Sequence, residues 1–402
     1  MRIKKIICLA LCLVMIGLAL VGCEDRLIGD YLPDYDYEPP VVDEVEYNLY
    51  IIGEAETLAN ENARITVQRA INQYIGDKYD AKLNIFYCDA STYAETVAAA
   101  SADNATNKAD IILINSAELM ETLLNGNKLV DLLPFLTDTA YKSYGFGTLN
   151  VSINDDLLDA AKVNVSGTTK LFCIPNNHVV GEYEYIAINK AIARFYNISD
   201  ARLASVTTQA AADALWAEIE PNKGLYTAAA LTKEMFVETV TGNYALKKTL
   251  ESEGSFVNVA VYPTVDADEV FSSAFALIAD VDIAAIDARL DELEAKKDKT
   301  EQDKEEIKQL NKKIEHCARA MEIIYAINTD VKLRNLLQYG EENKNYQIHD
   351  GVVVPVSDGN NVYRMNILYT GDVFKAYYCE LYGWNAKEMA DGILQNEDSV
   401  LR

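Results

Sequence analysis

Cys23 is the residue whose surroundings point most directly to chemistry. Arg2 and two lysines open the chain, an almost wholly apolar run starts at Ile6, and that run ends in Leu20-Val-Gly-Cys. An apolar run of this length is typical of a signal-peptide core and is short for a bilayer crossing. Small residues before a cysteine let a signal peptidase reach the bond, and the thiol can then carry a diacylglycerol. We therefore expect residues 1–22 to be a signal peptide and Cys23 to be the lipidated first residue. The alternative is an N-terminal anchor helix in which Cys23 is incidental.

Polar side chains that follow predicted strands are the next candidates, because they could bind a ligand. Apolar runs that start at Tyr47, Lys82 and Ala109 alternate with helical periods, a pattern that indicates βαβ units and a parallel sheet. Ligands of open α/β sheets bind outside the carboxyl ends of the strands. The residues at those ends are Glu54, Asp89, Asn115 and Ser116. Each of them could instead be a turn residue or a helix cap.

A second unit begins near Tyr141 and supplies the other side of a candidate site. Its predicted strands are residues 170–177, 182–188 and 255–262. The strand 273–279 then resumes the pattern of the first unit. A chain that leaves one α/β lobe, builds another and returns has paired crossovers, which make a hinge with a cleft. We expect a small solute in that cleft, contacted from the second lobe by Asn176, Asn177 or Tyr262.

The sequence lacks the common motifs of catalysis. It contains no G-x-S-x-G, S-x-x-K, H-E-x-x-H or P-loop pattern. The three histidines are far apart along the chain, which argues against a histidine-built zinc site. Glu182 and Glu184 share one strand face, whereas the two acids of a glycosidase must face each other across the substrate. We therefore expect no catalytic residue, no metal and no cofactor.

Charge and composition narrow the class of partner. The 402-residue chain has a formal charge of −26, and such a surface repels phosphate backbones, so nucleic acid is not an expected partner. Residues 23–46 are rich in Asp, Glu, Tyr and Pro and have no apolar period, which predicts an extended tether. Apolar surroundings favour free thiols over two disulfides for the later cysteines. These cysteines are Cys88, Cys173, Cys317 and Cys379.

Residues 283–317 have the pattern of two paired helices. Ile286, Leu290 and Leu293 recur at spacings of 4 and 3, and a second series of this kind runs from Ile307 to Cys317 after a polar stretch. This periodicity predicts an antiparallel coiled-coil hairpin whose second helix is capped by Thr300. We expect a solvated spacer, and the alternative is a docking arm for another protein.

Several segments between Tyr47 and Trp384 occur in an order that is typical of one protein family. They are Ala109-Asp-Ile-Ile-Leu-Ile-Asn-Ser, Gly126-Asn-Lys-Leu-Val-Asp-Leu-Leu-Pro-Phe-Leu, Lys170 to Asn177, Val261-Tyr-Pro-Thr, Ala274-Phe-Ala-Leu-Ile, Ala320-Met-Glu-Ile-Ile-Tyr-Ala-Ile-Asn-Thr-Asp and Leu336-Leu-Gln-Tyr-Gly. In this order, behind a run that resembles a bacterial lipobox, they resemble the extracellular solute-binding proteins of ABC importers, a group that includes sugar binders and LipO-like lipoproteins. In that family a short loop normally stands where residues 283–317 stand here.

The resemblance implies an α/β fold of the periplasmic-binding-protein type II kind, with two lobes, a hinge and an interlobe cleft, to which the coiled-coil hairpin is added. The expected domains are a signal peptide (1–22), a tether (23–46), the first part of lobe 1 (47–140), the first part of lobe 2 (141–268), the return of lobe 1 (269–345) with the hairpin (283–317), and a C-terminal part mainly in lobe 2 (346–402).

The resemblance also implies a function. We expect a solute-binding protein, not an enzyme, that is lipid-anchored on the outer face of a bacterial cell membrane. It would capture a small polar solute, a sugar or oligosaccharide first and a peptide or other polar solute second, and deliver it to the permease subunits of an ABC transporter. The rival from another class is an adaptor lipoprotein that contacts an envelope partner through the hairpin. An extracellular glycan hydrolase is the third alternative.

Overall fold

The computed structural model describes residues 45–138, 141, 144–226, 231–357, 359–379 and 384–401. The chain divides into two compact units, Met1–Asp43 and Glu44–Arg402, and every described residue belongs to the second. The expected signal peptide, Cys23 and nearly all of the tether therefore lie outside the described residues. Within the described ranges, each helix is too short or too polar to span a bilayer.

Fourteen strands are found among the described residues. In chain order they are β1 (Val45–Ile52), β2 (Ala81–Cys88), β3 (Ile111–Ile114), β4 (Lys162–Val165), β5 (Thr168–Leu171), β6 (Ile174–Pro175), β7 (Tyr183–Asn189), β8 (Val237–Gly242), β9 (Ser255–Val261), β10 (Thr264–Val265), β11 (Ala274–Leu277), β12 (Tyr346–His349), β13 (Val352–Pro355) and β14 (Val400–Leu401). Because β1 begins at Val45, the last two residues of the expected tether belong to the folded body.

Helices connect most of these strands. In chain order the α-helices are α1 (Ala55–Ala59), α2 (Glu61–Tyr79), α3 (Tyr93–Ala100), α4 (Ala117–Asn125), α5 (Leu133–Thr137), α6 (Leu149–Ser152), α7 (Asp155–Ala160), α8 (Lys190–Phe195), α9 (Asp200–Ala204), α10 (Gln209–Ile219), α11 (Lys233–Phe236), α12 (Tyr244–Ser252), α13 (Ala267–Ser272), α14 (Ile283–Glu294), α15 (Glu301–Thr329), α16 (Val331–Tyr339) and α17 (Ala386–Glu397). Short 3-10 turns lie at Phe146–Thr148, Glu220–Leu225, Gly359–Asn361, Ile367–Thr370 and Val373–Lys375.

The larger sheet has five strands in the order β2-β1-β3-β11-β6. Its strands β1, β2 and β3 are parallel, whereas β11 runs antiparallel to both of its neighbours. All four residues of β3 are buried, as expected for a central strand covered on both faces. This sheet and the helices on its two faces form the larger hydrophobic core.

The smaller sheet has three antiparallel strands in the order β8-β7-β9. A separate hydrophobic core forms around it, with Ile186 and Ile188 of β7 packed against Leu215 of α10 and Phe236 of α11. Three two-stranded sheets, β4-β5, β10-β14 and β12-β13, are also found among the described residues. The five-stranded and three-stranded sheets, each with its own core, make this a two-lobed α/β protein.

Two segments were predicted to lie in the second lobe but contact the first. The strand around Ile174 lies in the larger sheet beside β11, and its predicted place in the second lobe is therefore wrong. The physical reason is that the buried run Leu171–Ile174 completes the larger core, and a run of four apolar residues does not show which sheet it joins. Part of the segment 346–379 also packs on the first lobe, since Tyr363 and Met365 belong to the larger core.

The expected helical hairpin is formed by α14 and the first half of α15. Thr300 caps α15 through a capping box with Asp303, as the sequence predicts. Arg289 on α14 makes a two-pronged ion pair with Glu306 on α15, at 2.7 and 3.1 Å. Coiled-coil packing of the two helices stays a prediction, whereas the pairing of two antiparallel helices is observed.

All four later cysteines are buried, and Cys88, Cys173 and Cys317 are free thiols, as their apolar surroundings predict. Burial raises the pKa of Cys88 to about 11 and the pKa of Cys173 to about 12. Both thiols are therefore protonated at neutral pH, which fits a packing role rather than redox chemistry.

Candidate functional site

Five strand ends meet at one edge of the larger sheet, which we name the carboxyl edge. Strands β1, β2 and β3 end there because they are parallel; β6 ends there as well, and the antiparallel β11 begins there. The edge therefore brings together six of the seven residues predicted to bind a ligand. They are Glu54, Asp89, Asn115, Ser116, Asn176 and Asn177.

Asp89 and Ser116 serve the local backbone. Asp89 Oδ1 accepts hydrogen bonds from the backbone N–H of Ser91 at 2.8 Å and from its hydroxyl at 2.5 Å. The hydroxyl of Ser91, and then its N–H, lower the pKa of Asp89. Ser116 caps α4 by accepting from the N–H of Leu119 at 3.2 Å. Asp89 therefore acts as a turn residue and Ser116 as a helix cap, the alternative roles that the sequence allowed.

Glu54 and Asn115 differ from this pair because their polar groups are open. Both residues are half-buried, and neither side chain makes a hydrogen bond or ion pair with any described residue. Glu54 follows β1 and Asn115 follows β3, so they extend from the ends of neighbouring strands. A carboxylate offers acceptors and an amide offers both donors and acceptors, so together they can match a hydroxyl-rich ligand.

Tyr369 is a third member of this edge that strand-end reasoning missed. Burial, and after it the negative charge of Glu54, raises the pKa of Tyr369, which keeps its phenol protonated and able to donate. The residue lies on the 3-10 turn Ile367–Thr370 of the C-terminal segment. Because that turn follows no strand, the only signal in the sequence was a tyrosine in a polar stretch, and that signal is weak.

Asn176 and Asn177 are buried and bonded to protein. Asn176 Nδ2 donates to Ser273 Oγ and to the Leu368 carbonyl, both at 2.9 Å, while its Oδ1 is buried with no partner among the described residues. Asn177 Nδ2 donates to the Ser152 carbonyl at 3.0 Å, and its Oδ1 accepts from a backbone N–H at 3.3 Å. Both residues lie at the carboxyl edge as predicted, but their side chains bond to other parts of the protein.

Tyr262 belongs to a tyrosine cluster on the smaller sheet. Its ring lies 6.3 Å from that of Tyr183, which also stacks on Tyr185 at 5.0 Å. Tyr183 is buried and donates to Asp398 at 2.8 Å, whereas Tyr262 is about half exposed. Tyr262 is therefore the member of the cluster whose ring can meet a ligand.

Two crossovers connect the two sheets, and they lie side by side. The first covers residues 176–182. The second covers residues 262–273 and contains β10 and α13. At Gly181 a side chain would come within 2.8 Å of the Thr264 backbone, and the positive φ of Gly181 is the backbone geometry that favours glycine. The predicted pairing of crossovers is therefore observed.

Polar side chains clamp the first crossover. Asn396 donates to the His178 carbonyl at 2.7 Å and accepts from the Val180 N–H at 3.0 Å. Glu269 accepts from the Gly181 N–H at 2.9 Å and lies 3.2 Å from His178 Nε2. Burial acts to raise the pKa of Glu269, but the contacts with His178 and Gly181 outweigh it and lower that pKa.

Two further pockets are lined by residues other than Glu54, Asn115 and Tyr369. A pocket of about 550 Å³ lies at the opposite end of the larger sheet and is lined by Asp131, Lys170, Phe172 and Asp280 among others. Another, of about 450 Å³, is lined by Asn177 together with Asn154, Phe374 and Asn396. Within the described residues, no group of three or more His, Cys, Asp or Glu is arranged to hold a metal.

Comparison with known proteins gives structural neighbours only. No protein-family model matches the chain, and no curated protein sequence is significantly similar to it. The N-glycan transport solute-binding protein NgtS of Streptococcus pneumoniae is similar in structure at 15% identity and a TM-score of 0.49, over 89% of this chain and 83% of that one.

Two further solved structures are similar over most of this chain. A family 1 extracellular solute-binding protein of Alicyclobacillus acidocaldarius has 12% identity and a TM-score of 0.40, over 91% of this chain and 88% of that one. The substrate-binding protein Lmo0181 of Listeria monocytogenes has 10% identity and a TM-score of 0.34, over 89% and 88%. All three neighbours are described as solute-binding or substrate-binding proteins, and at such scores they establish no activity for this chain.

Proposed function

We propose that this protein binds a small polar solute at the carboxyl edge of its larger sheet. The observation that carries the proposal is the open group of Glu54, Asn115 and Tyr369. Glu54 and Asn115 follow neighbouring parallel strands, and Tyr369 lies near enough to Glu54 for that charge, after burial, to raise the pKa of its phenol. Binding sites of open α/β sheets occupy this position. The paired crossovers beside it supply a hinge, so that the smaller sheet and Tyr262 can close over the bound solute.

The chemistry of this edge fits a carbohydrate best. A sugar presents many hydroxyls, each able to donate and accept, and the carboxylate, amide and phenol offer matching partners. The half-exposed ring of Tyr262 provides an apolar face of the kind that covers the C–H side of a sugar ring. The sequence resemblance to sugar-binding relatives favours the same class, and a peptide or another polar solute comes second.

The cellular part of the proposal concerns the N-terminus. Cys23 would anchor the mature protein to the outer face of the membrane through its lipid, and the solute would pass to an ABC permease. Mass spectrometry of membrane-extracted protein should find a diacylated Cys23 as the first residue. An intact Met1, or a Cys23→Ser variant that stays membrane-bound after signal cleavage, would contradict this part.

The experiment for the binding function is a thermal-shift screen on the soluble form that starts after Cys23. The panel contains monosaccharides, oligosaccharides, short peptides and polar metabolites, because a ligand that binds only the folded state raises the melting temperature. We expect at least one saccharide to raise it. Release of product from oligosaccharides would instead support the hydrolase alternative, and no shift with any compound would leave the carboxyl edge without its proposed ligand class.

A further inference from the structure

A groove on the outer edge of the larger sheet carries a second cluster of open polar groups. It lies between α2 and β2, which is the edge strand of that sheet, and has a volume of about 450 Å³. The described residues that line it are Glu61, Arg64, Ile65, Gln68, Arg69, Asn72, Lys82, Ile85 and Tyr87. Arginine, lysine, amide and phenol groups make this lining rich in hydrogen-bond donors.

The floor of this groove is held in place by side chains of α2. Asn72 accepts from the Leu83 N–H at 2.8 Å and donates to the Leu83 carbonyl at 3.0 Å, and Gln68 Oε1 accepts from the Ile85 N–H at 3.0 Å. These bonds satisfy the exposed edge of β2 and fix the amides. The Nε2 donor of Gln68 is left without a partner among the described residues.

Two guanidinium groups in the groove have no counter-ion. Among the described residues, neither Arg64 nor Arg69 makes an ion pair, although the chain has 62 acidic and only 36 basic residues. Arg64 Nε is buried without a hydrogen-bond partner, and the guanidinium lies 6.0 Å from the centre of the Tyr87 ring. Glu61 lines the same groove but pairs with neither arginine. A buried donor without an acceptor destabilises the folded protein, so an acceptor supplied by a ligand would remove that cost.

We propose that this groove binds the oxyanion of a small ligand, a carboxylate or a phosphate, between Arg64 and Arg69. A guanidinium presents a planar fork of donors that fits either group by paired hydrogen bonds. Gln68 Nε2 adds a neutral donor, and Tyr87 with Ile65 and Ile85 offers an apolar wall for the body that carries the anion. The site is separate from the carboxyl edge and does not depend on the solute proposed there.

The test is calorimetric titration of the soluble protein at low ionic strength. The probes are sodium phosphate, sodium glucuronate and neutral glucose, so that a free phosphate and a sugar-borne carboxylate are distinguished. We expect at least one of the two oxyanions to bind. The Arg64→Gln/Arg69→Gln variant should bind it at least tenfold more weakly. The matched control is Arg194→Gln/Lys308→Gln, which removes two exposed cations that also lack ion pairs and should bind as the wild type does.

Further arms keep the proposal falsifiable. Circular dichroism checks that the Arg64→Gln/Arg69→Gln variant is folded, and if it is not, the Arg64→Lys/Arg69→Lys variant replaces it, since it keeps the charge but loses the planar fork and should also bind more weakly. No binding of either oxyanion to the wild type, or an equal loss in the control, would overturn the proposal. Failure of the carboxyl edge to bind a sugar would leave this result untouched, because the probes here are anions and the variants are on α2.

Discussion

The carboxyl edge and the clamped crossover contain the same kinds of side chain but use them differently. Asn115 at the edge is half-buried and makes no side-chain hydrogen bond with any described residue, whereas Asn396 at the crossover is buried and bonded at both ends of its amide. Glu54 is likewise open, while Glu269 is held by His178 and Gly181. Burial and partners, not residue type, therefore separate the open polar groups of the edge from the groups that hold the crossover.

The largest effect is expected at the crossover amide. Asn396→Ala leaves the His178 carbonyl and the Val180 N–H without their partners in a buried place, which should lower the free energy of unfolding by about 2–5 kcal/mol. Asn115→Ala removes an amide that bonds to no described residue and should change it by less than about 0.5 kcal/mol. Urea denaturation measures both. Equal losses in the two variants would break the comparison.

A smaller loss is expected when the hairpin is removed. Replacing residues 286–314 by a short linker deletes Asp287, which accepts a hydrogen bond from the buried Tyr141 at 2.9 Å. The free energy of unfolding should therefore fall by about 1–3 kcal/mol. The two lobes should still fold, because Ile283 and Cys317 in the core stay in place. Circular dichroism and solute affinity report the result. An unfolded variant would make the hairpin part of the core, and a folded variant that loses an envelope partner but keeps its solute would favour the adaptor alternative.

The dependence of the unfolding free energy on pH should include a contribution from Glu269 at the crossover. The pKa of Glu269 is lowered in the folded protein, so its contribution is fully present above the unfolded value of about 4.3 and is lost as the pH falls through the folded pKa. Glu269→Gln should therefore flatten the decline of the unfolding free energy below about pH 4.3. A decline in Glu269→Gln as steep as in the wild type would contradict this assignment.

The smallest effect compares two thiols. Cys88 ends β2 at the carboxyl edge and retains 9% exposure, whereas Cys173 near the first crossover is fully buried. Because burial raises the pKa to about 11 and about 12 respectively, both should react slowly with a thiol reagent in the native protein, and Cys88 should react first. Peptide mapping after timed alkylation gives the order. Earlier modification of Cys173 would show that the crossover opens more readily than the edge.

The sequence predicted the local parts of this molecule and missed those that depend on distant partners. The strands before Glu54, Asp89 and Asn115 follow from apolar runs, and the cap at Thr300 follows from its own neighbours in the chain. The roles of strand-end residues do not follow in this way. Asn177 bonds to Ser152, 25 residues earlier, and that contact exists only after the lobe has folded.

Two further misses have the same cause. The strand at Ile174 joins the larger sheet through β11, about 100 residues later in the chain, so no local pattern could assign it. Tyr369, whose pKa is raised by burial and then by the charge of Glu54, lies in the C-terminal segment on a turn that follows no strand. Contacts at long sequence separation therefore set both the lobe boundary and the third member of the open group.

The most direct test of the account is the affinity of the open group for the solute that the thermal-shift screen identifies. Isothermal titration should show that Glu54→Gln/Asn115→Ala weakens binding at least tenfold and leaves the melting temperature of the empty protein nearly unchanged. The control Glu253→Gln/Asn311→Ala, an acid and an amide that are exposed elsewhere, should bind as the wild type does. An affinity that Glu54→Gln/Asn115→Ala leaves unchanged would contradict the central claim and place the binding site away from the carboxyl edge.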